Sequence, residues 1–165
     1  MLNLNIAYTE PVNYSDESIP TLTRAQVWNG LKQKVRLPQR FIPSFDDSRI
    51  IEERDDGSYI VREAHVKDSL HESPMAGKWV REECQLHEPV KTYFTLPGGS
   101  TIQNILSVGP DQTLYLTFTY DWKLPDIEPG TREAQQAEDD HTKIAKSSVQ
   151  GTIKMLRRLA EANLL

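Results

Sequence analysis

The sequence predicts an α+β fold, a curved seven-stranded antiparallel sheet around a long C-terminal helix, with two short helices after the first strand. Three observations predict it. From Ser48 to Trp122, strand-like runs follow one another, separated by short turn signals and one loop, as antiparallel neighbours allow. From Thr131 to Leu165 the pattern is helical throughout. Ahead of both stands one strand-like run and a capped helical pattern.

Leu2 to Thr9 alternates apolar and polar residues and reads as the first strand. A polar stretch containing Pro11 and Pro20 follows. TLTRAQVWNGLKQKVRLP then reads as a helix: Thr23 with Gln26 three residues on is a capping-box pattern, Trp28, Leu31 and Val35 recur at helical spacing, and Pro38 ends it. LPQRFIPSF predicts a second short helix or turn that places Phe41 and Ile42 in the core.

SRIIEER, the turn DDG (Asp55 to Gly57) and SYIVREAHVKD form a hairpin signal. Asp68 to Gly77 reads as a loop. KWVREECQLHE is the next strand, and Pro89 separates it from VKTYFTL. The turn PGG (Pro97 to Gly99) leads to STIQNILSV, and GPD (Gly109 to Asp111) leads to LYLTFTYDW. In that last strand Leu114, Leu116, Phe118, Tyr120 and Trp122 share one large apolar face, whereas Tyr115, Thr117 and Thr119 face solvent. KLPDIEPG is the final loop. The closing helix spans roughly thirty residues at about 1.5 Å each, on the order of 45 Å, enough to cross a sheet.

Composition narrows the function classes. The 165 residues predict one domain, 1–165, with one sizeable core. A net charge of -5 and a pI near 5.4 would repel a phosphate backbone, so nucleic acid is not an expected partner. The same balance argues against docking by charge on a membrane surface, and no apolar run is long enough for a membrane span. The single cysteine, Cys84, permits no internal disulfide and reads as a small buried hydrophobe. The start lacks the basic and apolar regions of a signal peptide, which predicts a cytoplasmic address. No spacing fits a metal site or a resident cofactor: His65 and His71 straddle a strand end, and PGG lacks the strand-to-helix context of a phosphate loop.

TRAQVWNGLKQKVRLPQRFIP, the strand LYLTFTYDW and the terminal SSVQGTIKMLRRLAEANLL resemble the AtaL-like family of the helix-grip superfamily, the group of START, birch-pollen-allergen-like and polyketide-cyclase domains called SRPBCC. The first stretch is the most specific, because Trp28, Gly30, Leu31 and Pro38-Gln39-Arg40-Phe41 recur in that order. The resemblance covers essentially the whole chain. It implies a cavity for a hydrophobic small molecule, and it supplies no catalytic motif.

The final helix gives an independent reason to expect a cavity. Its C-terminal half carries bulky Met155, Leu156 and Leu159 on the apolar side. Apart from Ile144, the N-terminal half presents Ala137, His141, Ala145, Ser148 and Thr152 there. Small side chains opposite Phe118, Tyr120 and Trp122 leave room, although they also allow a close helix–sheet approach. The candidate ligand-binding residues are Arg62, Phe94, Phe118, Tyr120, Trp122, His141, Ile144 and Ser148. Arg62 shares a face with Ile60, Ala64 and Val66, so it must be paired or meet an anionic ligand. His141 either contacts a ligand or bonds a backbone carbonyl.

Three functions compete on these residues. The first is a carrier or receptor for a hydrophobic or aromatic molecule, polyketide-like or another secondary metabolite. The alternative is a cofactor-independent cyclase, dehydratase or isomerase, with His141, Tyr120 or Glu83 handling protons. A third, an interaction module, would use the apolar face for a partner. The chain is expected as a monomer or a homodimer.

Overall fold

The structure, a computed structural model, describes residues 1–15, 19–71 and 73–165. The predicted loops at 11–20 and 68–77 therefore fall partly outside the described residues, at 16–18 and 72. The order is β1 (Leu2–Pro11), α1 (Arg24–Arg36), a 3-10 turn at Pro38–Arg40, β2 (Phe45–Arg54), β3 (Tyr59–Val66), β4 (Trp79–His87), β5 (Lys91–Thr95), β6 (Thr101–Val108), β7 (Leu114–Leu124) and α2 (Arg132–Glu161). The seven strands form one antiparallel sheet in the order β1-β7-β6-β5-β4-β3-β2. After β1 the chain crosses to the far edge through α1, then meanders back strand by strand until β7 lies beside β1.

Local chemistry accounts for the boundaries. The Thr23 hydroxyl accepts from the Gln26 backbone N–H at 3.2 Å, and the Gln26 side chain accepts from the Thr23 N–H at 2.9 Å, so the capping box is complete. The second predicted helix is only a single 3-10 turn, because Pro38 starts it and Pro43 follows within a few residues. β2 begins at Phe45, earlier than the alternation predicts; Phe45 pairs with Val66, and a bulge breaks the register before Asp47. Thr131 caps α2 by accepting from the Ala134 N–H at 3.1 Å. The helix ends at Glu161 rather than running to Leu165, because Asn163 takes a left-handed conformation (φ 55°).

The core is filled at one end of the molecule. Val149, Ile153, Leu156 and Leu159 of α2 pack with Val27, Trp28 and Leu31 of α1 and with Leu106, Leu116 and Phe118 of the sheet. Gly30 marks the helix crossing: a Cβ there would lie 1.9 Å from Leu156 Cδ2, so only glycine lets α1 come this close to α2. A smaller cluster of Val35, Ile60, Cys84 and Phe94 lies under β3–β5. Within the described residues no helix is long and apolar enough to cross a membrane.

Candidate functional site

Away from the packed end, the sheet and α2 separate around a cavity of about 580 Å³. Its upper wall is the part of α2 that carries small side chains, Ser147, Ser148, Gly151 and Thr152, with Ile144 at the edge. Its sheet wall comes from Phe94, Ile102, Tyr120 and Trp122, and Phe41, Ile42 and Phe45 close one side. Ile144 (47% exposed) and Met75 (39% exposed) stand at the mouth. Gly151 faces open space, with nothing within 4 Å of a Cβ built on it. A mid-helix glycine costs about 1 kcal/mol against alanine, and no close contact here requires one.

The floor is charged, and strand register builds it. Arg62 on β3 lies directly opposite Glu82 on β4. Arg62 Nε and Nη2 both reach Glu82 Oε2 at 2.7 Å. Arg62 Nη1 donates to the carbonyl oxygens of Lys34 and Val35, each at 2.7 Å. Those are orphan carbonyls in the last turn of α1, so Arg62 caps that helix end from the sheet. On β6 and β7, Asn104 lies opposite Phe118. Lys34 reaches down from α1 between them: its Nζ donates to Asn104 Oδ1 at 2.9 Å and sits 4.0 Å from the centre of the Phe118 ring. Lys34, Arg62 and Glu82 are 5%, 1% and 5% exposed. Burial, reinforced by the Arg62 charge and only partly offset by Glu82, pushes the Lys34 amine down to about 7.

The wall groups are arranged by stacking. Tyr120 and Trp122 stack at 5.7 Å, 14° from parallel, and His141 meets Trp122 edge-on at 5.0 Å. Burial raises the Tyr120 phenol above its usual range, with the neighbouring Ser148 hydroxyl pulling the other way. Among the described residues, the Trp122 indole N–H and the Thr152 hydroxyl are buried at this cavity without a hydrogen-bond partner.

Of the sequence candidates, Arg62, Phe94, Tyr120, Trp122, Ile144 and Ser148 line the cavity. Three do not. Phe118 is fully buried beneath Lys34 and belongs to the packed core. His141 stands behind Trp122, its Nδ1 donating to the Ala137 carbonyl oxygen at 2.7 Å, so it braces the indole. Glu83 cannot handle a proton in the cavity: strand alternation turns it to the outer face, where it is exposed and accepts from the Tyr59 hydroxyl at 3.1 Å. Cys84 is buried and its thiol is pushed up to about 12, chiefly by desolvation, so it is no nucleophile.

Sequence reasoning missed Lys34, Glu82 and Asn104. Lys34 carried a signal, since it lies three residues after Leu31 and seven after Val27, on the apolar face of α1. Glu82 alternates with Cys84 on the inward face of β4. Among the described residues no group of three or more acidic, histidine or cysteine side chains is placed to hold a metal.

Comparison with known proteins agrees with this architecture. The family model described as AtaL, acetylaranotin biosynthesis cluster protein L, matches residues 6–163. The Aspergillus terreus protein of that name is 29% identical over 157 residues, covering 93% of this chain and 88% of its own. Among solved structures, the di-domain ARO/CYC StfQ from the steffimycin biosynthetic pathway superposes with a TM-score of 0.69 at 14% identity. That match covers 98% of this chain and 52% of StfQ, so this chain spans about half the length of that protein. Ara h 8.0201 superposes with a TM-score of 0.59 at 11% identity, covering 97% of this chain and 99% of its own. At such identities the two structures establish the shared helix-grip fold and nothing finer.

Proposed function

We propose that this chain, which belongs to the AtaL family of acetylaranotin biosynthesis cluster protein L, binds a hydrophobic or aromatic small molecule of secondary metabolism between its sheet and α2. The observation that carries this reading is the cavity itself. About 580 Å³ is the size of a small-molecule site, and aromatic walls with a few convergent polar groups are its usual lining. The Trp122 indole and the Thr152 hydroxyl supply unpaired polar atoms at that surface. The names of the relatives add support: one is a protein of the acetylaranotin biosynthesis cluster, and another comes from the steffimycin biosynthetic pathway.

Gly151→Phe tests the reading. A ring at Gly151 enters open space, and removing a mid-helix glycine favours α2, so the variant should fold at least as stably as the parent. The fluorescent apolar probe N-phenyl-1-naphthylamine should bind the parent and not the variant. Equal binding by both proteins, or none by the parent, overturns the assignment.

A second reading, a cofactor-independent cyclase, dehydratase or isomerase, is favoured by one observation. The Lys34 amine is held at about 7, where one group can both give and take a proton at neutral pH. Lys34 then replaces Glu83 and His141 as the proton handler, with the Tyr120 hydroxyl across the cavity. Lys34→Met that binds product normally and turns nothing over supports this reading; full turnover refutes it.

A further inference from the structure

Resting on the cavity as a ligand site, we propose that it takes its ligand as an anion: an aromatic molecule bearing an acidic oxygen, carboxyl or phenolic or enolic hydroxyl, that docks on Lys34 Nζ.

The argument begins with charge. Lys34, Arg62 and Glu82 are the charged groups of the floor, all three nearly or fully buried, while the Tyr120 phenol stands on the sheet wall and the exposed Lys123 is a further cation on the lining, open to solvent. Arg62 and Glu82 neutralise one another through two contacts to one carboxylate oxygen. With Lys34 protonated, the floor therefore carries one unmatched positive charge in an apolar cavity, and one anionic oxygen closes it. The neighbours of Lys34 leave that place to a ligand. From β3 comes Arg62, which repels the ammonium, and from β4 comes Glu82, already held by Arg62. From β6 comes neutral Asn104 and from β7 the Phe118 ring, while α2 contributes only Ser147, Ser148, Gly151 and Thr152 alongside Ile144.

Geometry leaves a donor over. An ammonium has three N–H groups. One is spent on Asn104 Oδ1 and the ring of Phe118 takes the side of the charge, so Lys34 keeps a donor for the cavity it lines. In the empty protein the amine is half protonated near neutral pH, because it titrates at about 7. An arriving carboxylate draws a proton from solvent onto Nζ. An arriving phenol or enol passes its O–H proton to Nζ where the amine is neutral, or to solvent where it is already an ammonium, and stays as the oxyanion. In both cases the final pair is ammonium and oxyanion, joined by a charge-assisted hydrogen bond.

Calorimetric titration of the full chain with 2-naphthoate, 2-naphthol and the neutral 2-naphthamide tests this, in two buffers of different ionisation enthalpy at pH 7. At least one acidic probe should bind tenfold or more tightly than 2-naphthamide. For 2-naphthoate the buffers should reveal uptake of about half a proton, since Lys34 is half titrated at that pH. Bound 2-naphthol should show the naphtholate absorption band with release of about half a proton, from the molecules whose Lys34 is already protonated. Preference for the carboxylate or for the hydroxyl identifies which acidic oxygen the site takes. Lys34→Met should abolish the preference. Parent protein alone gives a second readout should that variant fail to fold: 2-naphthoate affinity should fall about tenfold per pH unit above 7 while 2-naphthamide stays flat. Equal affinity for acidic and neutral probes, or naphthoate binding without proton uptake, overturns the anion proposal and leaves the cavity reading standing. Binding of none of the three overturns both.

Discussion

Glu82→Gln should unfold this protein at a markedly lower temperature, and the structure sets the size of the effect. Gln is close to isosteric and keeps an acceptor for Arg62, so the substitution removes charge rather than volume. It strands the Arg62 guanidinium, 1% exposed, without its counter-ion. Breaking a buried pair from one side costs about 3–5 kcal/mol. Arg62 retains two carbonyl acceptors at the C-terminal end of α1, a favourable place for a cation, which moves the expectation to about 3 kcal/mol. For a chain of this length about 2–4 °C accompanies each kcal/mol, so the midpoint should drop by about 6–12 °C. Circular dichroism through a thermal ramp measures it, with urea unfolding to check that the slope is unchanged. A loss under about 1 kcal/mol would refute the reasoning, because it would mean that the Arg62 charge is already satisfied by water or backbone. The double variant Arg62→Met, Glu82→Met should recover most of the loss, since a well-packed apolar pair needs no counter-ion.

Further outcomes follow from other parts of the structure. Lys34 titrates at about 7 when folded and at its ordinary 10.5 when unfolded, so unfolding takes up a proton between those values. Stability from this group therefore rises with pH from 7 to 10.5, and its full cost, on the order of 5 kcal/mol, applies below 7. Lys34→Met should exceed the parent in urea stability most at pH 6 and least at pH 10; a gap that does not change with pH contradicts the burial argument. Gly30→Ala places a Cβ against Leu156, which is fully buried and cannot step aside, so it should lose about 1–3 kcal/mol in the same assay. Trp122→Ala and Tyr120→Ala each break the stacked pair on the cavity wall and should each weaken binding of N-phenyl-1-naphthylamine by about 1–2 kcal/mol, roughly tenfold. Unchanged titration curves would remove those rings from the site.

The sequence carried the architecture because each element announces itself locally. Turn residues separate the strands, the capping box opens α1, and Pro38 ends it. The cavity wall was legible for a similar reason: alternation in β7 and small residues on α2 are both properties of one segment. The floor was not, because it exists only in register. Arg62 could be placed inward from its own strand, but its partner depended on β4 aligning Glu82, not Glu83, on the same face. A one-residue slip would exchange the two. Lys34 was hidden by its residue type. Its spacing puts it on the apolar face of α1, yet a lysine in a helix is ordinarily assigned to solvent, and only Asn104 and Phe118, seventy or more residues away, give it a place. His141 misled in the opposite sense: its face was read correctly, and the ring of Trp122 stands between it and the cavity.

The two helix glycines show how one chain builds a filled end and a hollow end. Both Gly30 and Gly151 lie inside helices, where each costs about 1 kcal/mol against alanine. At Gly30 the cost is offset by contact, since Leu156 occupies the space a Cβ would need and α1 locks onto α2. At Gly151 no contact offsets it: the position a Cβ would take is empty, and the nearest functional feature is the cavity. Five residues separate Gly151 from Leu156, so α2 passes from lining the hollow to sealing the core in under two turns. Lys34 sits at the matching boundary of α1, one turn beyond Gly30, with Leu31 in the packed cluster and its own amine at the cavity floor. The stable end therefore fixes where the charged floor stands. A change that loosens the α1–α2 crossing, as Gly30→Ala should, is expected to disturb Lys34 and ligand binding together, although Gly30 touches neither.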